Sequence, residues 1–64
     1  MVAVGDKIRI IYMDGEPDYY GKEGTIQMID SMGQLHGTWG GLAVIPESDS
    51  FEIIEGGPPY WVVQ

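Results

Sequence analysis

Glycine and proline punctuate this chain more than anything else does, with ten glycines and four prolines in 64 residues. Such spacing leaves no room for a long helix, and no apolar stripe with a 3.6-residue period is present. What lies between the breaks is short runs rich in Ile, Val, Tyr and Trp, the composition of half-buried strands. Five strands are expected, at residues 7–13, 24–29, 34–39, 42–45 and 51–54. In the first, Ile8, Ile10 and Tyr12 share one face, because strand side chains alternate. Asp30-Ser31-Met32-Gly33 reads as a turn in which glycine supplies a positive φ at no steric cost. Gly37 in mid-strand signals a bulge or a close backbone approach. Gly40-Gly41 marks a tight turn, Pro46 stops the fourth strand, and residues 47–50 suit one 3₁₀ turn. The long polar segment 14–23 exceeds a tight hairpin.

Five short strands in a chain of this size close most easily as one small barrel. The fold class expected is therefore all-β, a five-stranded barrel, with the C-terminal residues available as an extra strand. The core expected is Ile8, Ile10, Ile26, Met28, Leu35, Trp39, Leu42, Val44, Phe51 and Ile53. Residues 1–55 form the barrel. Residues 56–64, GGPPYWVVQ, form a Gly/Pro linker and an apolar tail.

Charge narrows the function. Ten acids face only Lys7, Arg9 and Lys22, a net charge of -7, which disfavours a protein that binds nucleic acid by neutralising phosphates. The absence of cysteine excludes disulfides and thiolate metal sites and fits a reducing cytoplasm. The opening MVAVGDKIRI does not read as a signal peptide, and no run approaches the ~20 apolar residues of a membrane span. No acid–base pair, metal cluster or phosphate loop is visible, so neither catalysis nor a cofactor is expected. Asp14, Glu16 and Asp18 echo the start of a calcium loop, but Tyr19 and Thr25 stand where that loop needs glycine and glutamate. No metal site follows.

The order of motifs resembles a known pattern. Val4-Gly5-Asp6-Lys7-Ile8-Arg9-Ile10 looks like the opening of SH3-like and KOW-type barrels. Gly21-Lys22-Glu23-Gly24-Thr25-Ile26 looks like their "G-x-x-G-T-V" element, where the second glycine turns the chain into the next strand. Asp30 to Gly33, then Gln34-Leu35-His36, Trp39, Leu42-Ala43-Val44-Ile45-Pro46, Asp49 and Phe51 resemble a narrower bacterial and mobile-element family, domain of unknown function 4314. The resemblance spans residues 4–54. It departs at Trp39-Gly40-Gly41, where the family carries "W-D-N-G". It implies an SH3-like fold and carries no activity with it.

The function expected is a small non-catalytic interaction module with a protein partner. Its candidate surface is Tyr12, Asp14, Glu16, Asp18, Tyr19, Tyr20, His36 and Trp39, an acidic loop interleaved with aromatics of the kind that grips basic peptides. His36, the only histidine, points away from Leu35 and is read as a surface or structural residue. Tyr60 and Trp61 either cover the barrel or join a second copy, so the chain is a monomer or a tail-mediated homodimer. Two alternatives remain open. One is a mobile-element inhibitor that offers carboxylates in place of phosphates to a host nuclease or RNA-guided effector. The other is a KOW-like nucleic-acid binder using Lys7, Arg9 and Lys22 with Tyr12 and Tyr20.

Overall fold

A computed structural model describes residues 2–56. Four antiparallel strands build it: β1 (Lys7–Tyr12), β2 (Glu23–Ile29), β3 (Leu35–Gly37) and β4 (Ser50–Glu55). They lie in the order β3-β2-β1-β4 in an open sheet. The described residues contain no α-helix; a single 3₁₀ turn, Pro17–Tyr19, sits in the long loop after β1. Proline opens that turn, where its missing N–H costs nothing.

Three of the expected strands appear with shifted ends, as does the last. The expected strand at 42–45 does not. Only Val44 pairs, exchanging two backbone hydrogen bonds of 2.9 Å with Leu35. Its neighbours have spent their backbone groups elsewhere. The Leu42 carbonyl accepts the indole N–H of Trp39 at 2.8 Å. The Ile45 N–H donates to the Asp49 carboxylate at 2.8 Å, and the Ile45 carbonyl accepts from Ser48 and Asp49. A ladder cannot extend through groups already paired. The 3₁₀ turn expected at 47–50 is instead the hydrogen-bonded turn at 46–48 that this carbonyl closes.

The core is Ile8, Ile10, Met13, Ile26, Leu35, Trp39 and Val44. Met28, Leu42 and Ile53 are exposed and Phe51 is only half-buried, against expectation. Bulges explain one of these and one surprise. Between Ile10 and Tyr12, β1 carries one residue more than β4 opposite it. An extra residue reverses which side chains face inward, so Met13 is buried and Tyr12 is not. The same event between Ile26 and Met28 turns Met28 outward and leaves Ile29 half-buried against the core. Ile53 stays in register opposite Ile8 on the edge strand β4, and the register shift beyond it leaves Ile54 half-buried.

Two glycines of the "G-x-x-G" element divide their labour. Gly21 has a φ of 86° and makes the turn. Gly24 has no such φ; the chain crosses it so closely that a Cβ would lie 2.7 Å from Thr38 Oγ1 and from the Trp39 nitrogen. On the outer face Arg9 forks across three strands. Its Nε and Nη2 hold Glu23 of β2 at 3.0 and 2.8 Å, and Nη1 holds Glu52 of β4 at 2.7 Å. Both acids are its register partners, the arrangement in which cross-strand charges meet. These bonds hold the guanidinium pKa above its ordinary value, Glu23 contributing most. The pairs are exposed, so an Arg9→Met variant should lose stability mainly at low salt: its thermal melt should fall below the wild type at 20 mM salt and converge on it at 500 mM.

Candidate functional site

The loop after β1 is held at both ends. Glu16 N–H donates to the Met13 carbonyl at 3.0 Å, closing a turn with Gly15 at its third position. At the far end Gly21 N–H donates to Ile10 O at 2.7 Å and Ile10 N–H to Lys22 O at 2.8 Å. This zipper brings Tyr20 beside Tyr12, with ring centroids 5.4 Å apart and planes tilted by 36°. Both rings are exposed. The Tyr12 hydroxyl donates to Asp14 Oδ1 at 3.1 Å, and that bond to the carboxylate raises the Tyr12 pKa.

Tyr19 turns the other way. It packs half-buried against the core, with its hydroxyl close to Gly40, and the Lys22 ammonium lies 5.1 Å from its ring centroid. Glu16 and Asp18 are exposed. Among the described residues, Asp14, Glu16 and Asp18 form no ion pair with lysine or arginine.

A cleft of about 340 Å³ opens beside this loop. It is lined by Met13, Asp14 and Glu16 from the loop after β1 and by Leu42, Ala43, Ile45 and Ser48 from the segment before β4, with Gln34 and Asp49. Asp49 ties the two lining segments together. Buried, it accepts from Asp14 N–H at 3.0 Å and Ser48 Oγ at 3.2 Å through Oδ1, and from Ile45 N–H through Oδ2. The sequence pattern marks Asp49 only as part of a family ending. Leu42 reads there as strand and core and Ile45 as strand, and their exposure comes from the lost strand.

The remaining expected site residues are placed elsewhere. Trp39 is a core residue, only 3% exposed, its indole N–H spent on Leu42. His36 Nε2 sits 2.9 Å from Asp30 Oδ2 and stays with the 30–34 turn. Asp30 Oδ1 also caps that turn by accepting from Met32 and Gln34 N–H, both at 2.9 Å. Tyr60 and Trp61 lie outside the described residues.

The Asp30 carboxyl is held below its ordinary pKa, first by the His36 hydrogen bond and then by the turn amides. A carboxyl lowered by folding contributes stability that is present above its unfolded pKa of about 3.9 and is lost as pH falls through the lower folded value. Urea midpoints of wild type and Asp30→Asn should therefore differ at pH 7 and converge in that acid window. A constant gap down to pH 2 would refute the assignment.

A small antiparallel all-β domain with an acid-lined cleft is the class these features define. The family model described as Domain of unknown function (DUF4314) matches residues 2–54, and the chain belongs to that family. Neither the curated proteins nor the solved structures gave a match.

Proposed function

We propose that the domain is a small non-catalytic interaction module that seats a protein partner on the cleft between residues 13–16 and 42–48. One observation carries this reading. The cleft combines aliphatic walls, Leu42 and Ile45, with exposed acids on its rim, a composition suited to recognition of a protein segment. In the same reading the sheet is part of an SH3-like barrel, with the Leu35–Val44 pairing as the trace of a fifth strand. The setting proposed is the bacterial cytoplasm, on a mobile element.

Acidic mimicry of nucleic acid draws less support. Glu23 and Glu52 are spent on Arg9, and Asp6 and Asp49 are buried. The charge is thus divided among separate places, which favours solubility. Direct nucleic-acid binding has the weakest electrostatics, because Arg9 is already neutralised by two carboxylates.

A charge placed in the cleft tests the module. Leu42→Arg alters the wall, and Met32→Arg serves as a control at an exposed turn residue outside it. In quantitative affinity capture from the native host, a partner should be recovered equally by wild type and Met32→Arg, and at least about tenfold less by Leu42→Arg. Equal recovery by all three proteins would sink the cleft as the binding surface.

A further inference from the structure

We propose that Tyr12, Tyr20 and Asp14 form a cation subsite adjoining the cleft, so that the partner's segment presents an arginine next to an aliphatic side chain. The inference rests on the cleft reading and adds to it the chemistry of the occupant.

Tyr12 and Tyr20 leave two tilted aromatic rings in water, each a little over two-fifths exposed. An aromatic face attracts a cation within about 6 Å of its centroid. The molecule already uses this contact once, where Lys22 lies over Tyr19. Lys22 is thereby engaged on a different ring, and Arg9 is engaged between Glu23 and Glu52.

Asp14 supplies the counter-charge. Its Oδ1 is held by the Tyr12 hydroxyl at 3.1 Å, which fixes the carboxylate at the edge of the ring pair. A carboxylate accepts through two oxygens, so Oδ2 remains to receive a guanidinium donor. The planar guanidinium stacks on rings and meets carboxylates with two N–H groups, and an ammonium does neither as well.

Asp14 also lines the cleft, together with Met13, Leu42 and Ile45. One residue therefore belongs to both subsites. An arginine on the tyrosines leaves the neighbouring side chain of the same segment at the aliphatic walls. The negative surface and the aliphatic cleft are complementary to that segment alone among simple compositions. An acidic segment would meet Asp14 and Glu16, and a purely polar one would leave Leu42 and Ile45 uncovered.

The test uses the full chain and three capped pentapeptides, Gly-Leu-Arg-Leu-Gly, its citrulline counterpart and its lysine counterpart. Amide chemical shifts are followed during titration at low salt. The arginine peptide is expected to move the amides of Asp14, Leu42 and Ile45. It should bind about fivefold more tightly than the citrulline peptide, which has the same shape and no charge, with lysine between them. Tyr20→Leu and Asp14→Asn should each bring the arginine peptide down to the citrulline level. Equal affinity of arginine and citrulline peptides, with shifts still at Leu42 and Ile45, would overturn the cation subsite and leave the cleft standing. Absence of shifts at those residues with every peptide would overturn both.

Discussion

Gly37→Ala is expected to lower stability by about 3 kcal/mol, the upper end of what overpacking costs. A Cβ at Gly37 would overlap the Thr25 carbonyl oxygen and the benzo ring of Trp39. Neither neighbour can yield cheaply. The Thr25 carbonyl accepts from Thr38 N–H at 3.1 Å, and Thr25 N–H donates to Thr38 Oγ1 at 2.9 Å. Trp39 is buried and anchored to Leu42 by its indole N–H. A domain this small has a margin of only a few kcal/mol, so the variant should be substantially unfolded in water or melt at the first additions of urea. Gly15→Ala is the control. Its φ of 76° disfavours a side chain, but nothing lies within 4 Å of the new Cβ, so the cost should be about 1 kcal/mol. Urea titrations followed by tryptophan fluorescence compare the two. A Gly37→Ala loss no larger than that of Gly15→Ala would show that the chain relaxes around the site.

Gly37 also shows what local sequence reading can reach. A glycine inside a β-like run implies a close approach or a bulge, and here it has the first with a bulge in the facing strand. The Asp30–Gly33 turn is legible for the same reason: its residue types carry their own hydrogen bonds, Gly33 N–H to Asp30 O among them. The misreadings come from non-local causes. Alternation assigns Tyr12 and Met28 inward, yet a single extra residue opposite a neighbouring strand reverses both. Nothing within β1 or β2 alone announces that residue. Leu42 to Ile45 has the composition of a strand, but its backbone groups are claimed by the Trp39 indole and the Asp49 carboxylate. Of the candidate site, the loop half is legible. Tyr12, Asp14 and Tyr20 are local in sequence and meet as expected of an acidic, aromatic loop. The cleft half is not, because it exists only where the strand fails to form. Trp39 is legible as core, and there its indole N–H is held by the Leu42 carbonyl, while His36 keeps a partly exposed side chain tied to the Asp30 carboxylate.

The same carboxylate that suppresses the strand should prove the most sensitive polar group in the domain. Asp49→Ala is expected to cost about 2–4 kcal/mol, the range for leaving two buried donors without an acceptor. Wild-type Asp49 takes the N–H groups of Asp14 and Ile45 and the Ser48 hydroxyl on two oxygens. Truncation strands the two amides, while the hydroxyl can rotate to another partner. Asp49→Asn keeps one acceptor oxygen and turns an amide NH₂ toward the other donor, so about half the loss should remain. Asp30→Ala provides the contrast. It also strands two amides, those of Met32 and Gln34, but at a turn that water can reach, and its effect should be smaller. Asp49 differs further in where its donors sit. Both line the cleft and come from segments 31 residues apart in the chain, so the damage should appear in hydrogen exchange at Asp14 and Ile45 before the rest of the sheet opens. Any ligand seated in the cleft should then be lost at urea concentrations where the strands are still protected. Uniform acceleration of exchange across β1, β2 and β4 would instead make Asp49 a general prop of the fold with no special hold on the cleft.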